Sequence, residues 1–432
     1  MVLFSFVNII IFLLYLSVTN KRKLMSSPYV FIWTLCFFSF EISPKILNYN
    51  LRDAVWYSYY LYFIAFSFFM IFFEKSKLPS IRVLYLRSIF NIDQQSERWF
   101  RGLYFYFLLL IILQLIVRYS TGTLVIGQVS EGSSSFFFKI VNYLLYVLGF
   151  THTGFFNYTG LICVGFIMKY KFNKTLFVYF SFLICLLLTV LTTQKSYFLY
   201  VLLSYILMKV WIDRVSFTYQ LRLALLLFLS PVLIFIFNSL RNYYIDTSVG
   251  IFEYFSFETI LWYMSIRLDF SMSSSYLIET DFEDKWIFLE NLLKSIFFFL
   301  PQTYLFGNDI YSVKLAHHVG FSDNELAGIT ITPFSQFYNS FGFAGVIFFG
   351  ALSSLIFSSY FKVIKKKPSS SSIVFVLFLM PFLYSNFISQ SLHESFYVLF
   401  RNIFSLNVNL LLFYLLNKVF DVKKTVFKKY LL

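Results

Sequence analysis

Along most of this chain, long apolar runs alternate with short polar connectors, and few segments show the two-sided pattern of a soluble helix or strand. A hydrocarbon core needs roughly 20 apolar residues per crossing helix. By that measure the sequence predicts eleven membrane spans. They are Val2–Val18, Pro28–Ser43, Val55–Phe73, Leu103–Val117, a fifth ending at Lys169, Thr175–Leu191, Tyr197–Ile212, Leu223–Asn238, Phe337–Phe361, Ile373–Ile388 and Phe396–Asn417. The fifth lies within Phe136–Met168, which is too long for one straight crossing and reads as an interfacial lead-in carrying Lys139 followed by a span. Nothing charged precedes the first apolar run and no small-residue cleavage site follows it, so it reads as an uncleaved helix rather than a signal peptide. The connector Glu74–Gly102 is basic, and its middle, Ile81–Phe90, fits an amphipathic helix lying on the membrane surface.

One stretch breaks this rhythm. Between the eighth and ninth apolar runs lie roughly a hundred residues of mixed character, too long for a plain connection and the first place to look for function. The chain therefore divides into 1–238 with eight spans, 239–336 as a large loop with helical segments of its own, and 337–432 with three spans and a basic tail. The fold class expected is an all-α polytopic membrane protein with about eleven transmembrane helices and one large external loop.

Composition supports this reading. The chain is 59% hydrophobic and 13% charged, with a mean hydropathy of +0.73, beyond the range of soluble domains. Its net charge is +14, but the cations sit in short clusters beside apolar runs, which is the pattern of topology signals and not of a nucleic-acid surface. Lys21-Arg22-Lys23, the 74–102 connector, Lys169/Lys171/Lys174, Lys209/Arg214/Arg222, Lys362/Lys365/Lys366/Lys367 and the tail hold 24 of the 35 cations, all on one side of the predicted membrane. The positive-inside rule makes that side cytoplasmic. The N-terminus and the long loop are then outside and the C-terminus cytoplasmic, as in a multi-pass protein of a bacterial inner membrane. The three cysteines (Cys36, Cys163, Cys185) lie in predicted spans without metal-ligand spacing and read as small packing residues. The 62 Phe and 33 Tyr are what an AT-rich coding sequence supplies, so no site is drawn from their abundance.

Several ionisable residues stand apart from the topology clusters. Lys195 sits between two spans at the outer surface, either snorkelling or placed to neutralise a lipid-linked diphosphate. Arg241 directly follows the eighth span on the face where topology calls for no cations. Phe252–Tyr276 reads as a helix bearing Glu258, Arg267 and Asp269. At about 100° per residue Glu258 and Asp269 lie within about 20° of one face and Arg267 points the opposite way. Arg267 thus needs a partner elsewhere, and an anionic ligand is one option. His317 and His318 lie in the wet part of the loop, as a solvated pair or as a general base on a sugar hydroxyl. His393 and Glu394, in a short outer loop, are weaker candidates. Arg118 and Arg401 lie at the outer ends of spans four and eleven, where a cation either snorkels or faces a cavity. No residue set has the spacing of a metal site, and no cofactor is expected.

Two segments carry a family resemblance. Thr330-Ile331-Thr332-Pro333 leading into Tyr338-Asn339-Ser340-Phe341-Gly342-Phe343-Ala344-Gly345-Val346 resembles the end of the large periplasmic loop in Wzy-type polymerases of O-antigen and capsule repeat units. Gln194-Lys195-Ser196 opening a Leu-rich helix is similar to that family's basic residue at the same place, where Arg is common. The resemblance implies a GT-C-like, membrane-embedded, metal-independent inverting glycosyltransferase. It would transfer a growing glycan from undecaprenyl diphosphate to the next lipid-linked repeat unit, on the outer face of the cytoplasmic membrane. Its implied partners are that lipid-linked glycan as donor and acceptor, the lipid bilayer and a chain-length regulator. Lys195, Arg241, Arg267 and Arg118 would answer the diphosphate, and His317, Glu258 or Asp269 the acceptor hydroxyl. Competing readings are an O-antigen ligase with the same chemistry and a flippase or transporter without any. Against the latter stand the long outer loop and the lack of an internal repeat. A membrane acyltransferase would need a deep His/Asp pair, which the sequence lacks.

Overall fold

The computed structural model describes residues 37–48, 53–75, 92–120, 155–192, 195–213, 285–297, 332–364, 366–388 and 392–430, with single residues at 10, 216, 218–219, 222, 258 and 300. Among these residues the protein is all-helical, without strands. The main helices are α1 (Asp53–Lys75), α2 (Glu97–Ser120), α3 (Phe155–Phe172), α4 (Thr175–Thr192), α5 (Lys195–Asp213), α6 (Lys285–Lys294), α7 (Pro333–Ile364), α8 (Ser370–Ile388) and α9 (Leu392–Tyr430). Among the described residues three segments, Asp53–Phe73, Pro333–Ile364 and Ser395–Lys418, are long and apolar enough to cross a membrane, and Thr175–Leu187 and Ser370–Leu379 are shorter apolar helices. The apolar runs Val2–Val18, apart from Ile10, and Leu223–Asn238, the amphipathic stretch Ile81–Phe90 and Cys36 lie outside the described residues.

Helix boundaries differ from the hydropathy limits where capping decides them. α7 begins four residues before Phe337, because Pro333 suits the first helical position and Thr332 closes the start. The Thr332 carbonyl accepts from the Ser335 and Gln336 amides at 3.1 and 3.3 Å. α2 begins at Glu97 inside the basic connector, with Ser96 Oγ accepting from the Trp99 amide at 3.3 Å and Arg101 paired to Glu97. α9 takes in His393 and Glu394, expected in a loop, and most of the basic tail, since nothing between Leu392 and Tyr430 is Gly or Pro.

The chain forms two units. The first comprises Met1–Arg82, Ile206–Lys367 and Leu379–Val398, the second Val83–Tyr205, Pro368–Phe378 and Leu399–Leu432. In the first, α1 packs side by side with residues 345–364 of α7 and runs parallel to them. Tyr62 stacks on Phe349, Ser354 Oγ donates to the Phe66 carbonyl at 2.6 Å, and Phe66 meets Phe357 edge-on. Gly350 lets the two backbones close up between Tyr62 and Phe66. α1 is apolar on both sides. Tyr59, Phe63, Phe66 and Met70 are fully buried against protein, whereas Phe68 and Phe72 are 65% and 60% exposed. An apolar helix whose outer side is also aromatic is built for lipid, not water.

In the second unit α2, α3 and α4 make an up-and-down bundle. Phe107 lies against Gly160 and Phe100 against Phe172, so α2 and α3 are antiparallel. Ser181 Oγ reaches the Leu161 carbonyl at 3.2 Å across α3 and α4. α9 runs antiparallel to α2, with Phe413 beside Trp99 and Tyr106 Oη donating to Asn409 Oδ1 at 2.9 Å. Cys163 and Cys185 are buried packing residues here. At one end of this unit Lys171 Nζ donates to the Asp93 and Gln95 carbonyls at 2.7 Å each. Asp93 in turn accepts from the Ser371 amide at 3.0 Å and the Ser371 hydroxyl at 2.7 Å, capping α8. Asp93→Ala is expected to cost about 1 kcal/mol, the usual value of a lost N-terminal cap. It should register as a lower thermal midpoint in detergent, with Asp93→Asn losing less.

Candidate functional site

The residues that stood out in the sequence are unevenly described. Arg241, Arg267, Asp269, His317 and His318 lie outside the described residues. Glu258 is helical and exposed. Lys195 is the first residue of α5, and Arg118 lies in the last turn of α2. Arg401, at the start of the second unit's share of α9, is buried, as are Asn402, Ser405 and Asn409 on the same helix. A guanidinium at that depth is costly in a membrane and faces protein or a polar cavity. Among the described residues no three His, Cys, Asp or Glu side chains gather as metal ligands.

The first unit contains a polar cluster that sequence reasoning did not assemble. It is built at the N-terminal end of α7. The Thr332 and Ser335 hydroxyls meet at 2.6 Å, and Ser335 Oγ also donates to the Thr332 carbonyl at 2.7 Å. Gln336 Oε1 accepts from the Leu392 amide at 3.0 Å, so the start of α7 holds the start of α9. That bond satisfies one of the amide donors that a helix N-terminus leaves open. Close by in the chain, Tyr397 Oη donates to the Leu300 carbonyl at 2.8 Å. Thr332, Ser335 and Gln336 are all fully buried.

α7 then breaks once. Gly342 has φ 62° and ψ −154°, a region open to glycine alone. The break lets Tyr338 and Phe343 meet edge-on at 5.0 Å. Gly345 packs against the Phe337 carbonyl so closely that a side chain there would collide with backbone. The Thr-Pro step, Gly342 and Gly345 each have a geometric task here.

Rings join this turn to a second short element. Phe334 stacks on Tyr62 at 5.4 Å and meets Phe40 at 5.3 Å, and Phe40 stacks on Tyr59 at 4.7 Å. Phe40 belongs to a single π-helical turn, Phe38–Ile42, followed by the short helix Ser43–Ile46. Next to Phe40, Glu41 is 7% exposed and accepts from Tyr60 Oη at 2.7 Å. Tyr60 stacks on Trp56 at 5.6 Å. Glu41 lies two residues before the end of the second apolar run, Pro28–Ser43, and a lone carboxylate inside such a run was the signal available in the sequence. Its partners, nineteen positions away or more, were not.

No protein-family model, curated protein or solved structure matches this chain.

Proposed function

We propose that this chain polymerises undecaprenyl-diphosphate-linked repeat units of a surface polysaccharide on the outer face of the cytoplasmic membrane. The observation that carries the reading is the Thr332–Gly345 segment. The residues that resemble the polymerase loop ending are those that cap α7, break it at Gly342 and admit close packing at Gly345.

Helix directions support the topology this function needs. If α1 and α7 both cross, their parallel packing calls for an odd number of crossings between them. α2, α3, α4 and α5 would supply four, and the apolar run Leu223–Asn238 is the stretch suited to a fifth. Connectors given the same side by their charge also meet. Lys171, Asp93 and Ser371 come together in the second unit, and in the first Trp211 Nε1 donates to the Lys366 carbonyl at 3.3 Å.

In the reaction proposed, the acceptor sugar hydroxyl attacks the anomeric carbon of the growing chain. The bond to the diphosphate breaks and undecaprenyl diphosphate leaves with its electron pair. Cations answer that charge, and Lys195, Arg241, Arg267 and Arg118 are the candidates, because ammonium and guanidinium groups stabilise a departing phosphate. The acceptor proton needs a base, for which Glu258, Asp269 and His317 were the sequence's candidates. A chain-length regulator would act on this step from outside.

Deleting the gene tests the assignment. A polymerase deletion leaves a surface glycan of one repeat. Accumulation of unligated polymer would instead identify a ligase. Proteoliposomes that move lipid-linked units without lengthening them would identify a transporter.

A further inference from the structure

We propose that Glu41, presented by the π-helical turn Phe38–Ile42 and held by Tyr60, is the carboxylate that takes the proton from the acceptor sugar hydroxyl, within a sugar subsite that includes Trp56. The proposal rests on the polymerase reading above. Three observations point to it, none of them drawn from the long loop.

First, a carboxylate that is 7% exposed inside an apolar run is expensive in a membrane and marks function by default. Second, the turn that carries it is π-helical. Such single turns are rare, re-aim one side chain relative to its helix, and gather at functional sites. Third, the indole nitrogen of Trp56, itself 7% exposed, has no hydrogen-bond partner among the described residues. Buried donors are nearly always satisfied. This one stands on a ring stacked against Tyr60, whose hydroxyl donates to Glu41 at 2.7 Å. A carboxylate, a tyrosine hydroxyl and an indole N–H on neighbouring aromatic faces are the groups that recognise a sugar ring, whose one face is apolar and whose edge is hydroxylated.

The position is suitable too. Phe40 contacts Phe334, so the turn carrying Glu41 lies beside the Thr332–Gln336 turn on which the polymerase reading depends. In the step proposed, the acceptor O–H proton passes to the Glu41 carboxylate as the oxygen bonds the anomeric carbon. The carbon–oxygen bond to the diphosphate breaks, and the electron pair leaves on undecaprenyl diphosphate. The Glu41 proton is then lost to water.

The test is chain growth in proteoliposomes, using the undecaprenyl-diphosphate-linked repeat unit purified from a strain lacking this gene. If the wild-type protein does not lengthen that substrate, the polymerase reading fails and this proposal with it. If wild type lengthens it, Glu41→Gln decides the present point. Gln keeps the shape and still accepts from Tyr60, so KM should stay within about twofold while kcat falls about 10²- to 10⁴-fold, the usual value of a general base. A kcat per folded molecule within about threefold of wild type would overturn the assignment, as would a loss confined to KM. Should Glu41→Gln fail to reach the membrane, Glu41→Asp serves. It retains the charge but withdraws it by one methylene, and about a 10²-fold loss of kcat is expected from a misplacement near 1 Å. Wild-type kcat in Glu41→Asp would overturn the proposal.

Discussion

Arg241→Ala and Arg267→Ala are each expected to leave the protein inserted in the membrane while the surface glycan collapses to a single repeat. The argument begins with charge placement. Cations on the cytoplasmic side fix topology and can be lost singly with little consequence, but a cation on the outer side has no such task. Arg241 directly follows an apolar run, and Arg267 points away from the two carboxylates on its own predicted helix. The reaction proposed develops charge on a diphosphate as it leaves. Removing one preorganised donor from such a group costs about 10²- to 10³-fold in kcat. A polymerase slowed that far between export events yields single units rather than ladders. Arg→Lys at either position should recover part of the chain length, since an ammonium keeps the charge and gives up the two-pronged geometry. Gel ladders of extracted surface glycan, read beside membrane levels of each variant, check this. Normal ladders in both Ala variants would remove the two arginines from the leaving-group site.

Gly350→Leu is expected to have the largest effect on stability. A side-chain carbon at Gly350 would lie 2.9 Å from Ala65 Cβ and 3.1 Å from both the Phe66 nitrogen and the Tyr62 oxygen. Two of these neighbours are backbone atoms of α1, which cannot turn aside as a rotamer would. Helices in lipid gain no hydrophobic driving force from meeting, so α1 and α7 hold together by close packing and interhelical hydrogen bonds. Overpacking of this kind costs about 1–3 kcal/mol in tolerant cores and more where backbones must separate. Separation would also break the 2.6 Å bond from Ser354 to the Phe66 carbonyl, one turn further along α7. Ser354→Ala provides the scale, at about 0.6 kcal/mol for that bond alone. Thermal unfolding in detergent should rank wild type, Ser354→Ala, then Gly350→Leu, with the last poorly recovered from membranes. Equal midpoints for Gly350→Leu and wild type would mean that α1 and α7 do not meet there.

Much of the secondary structure was legible because hydropathy acts locally. The limits of α1, α4 and α5 follow the apolar runs within a few residues, since lipid rewards an unbroken helix of that length whatever its neighbours. Where the limits shifted, capping was largely responsible, from adjacent residues at the start of α2 and α7 and from a polar partner far along the chain at α8. Asp93 caps α8 from the connector before α2, and no window over residues 365–375 contains it. Gln336 likewise holds the first amide of α9. In α9 the absence of a helix breaker outweighed the change from apolar to basic residues at Lys418.

The candidate site divides along the same line. The sequence by itself determined an apolar, helical, membrane-embedded chain, the clustering of its cations beside apolar runs and the Thr330–Val346 segment, because these depend on residue type and order alone. Only the tertiary structure decided that α1 and α7 lie parallel, that Gly350 and not another glycine permits their contact, and that Glu41 belongs with Tyr60 and the Thr332–Gln336 turn. Those facts rest on ring stacking and hydrogen bonds between residues tens to hundreds of positions apart, and helical periodicity carries no information over such separations.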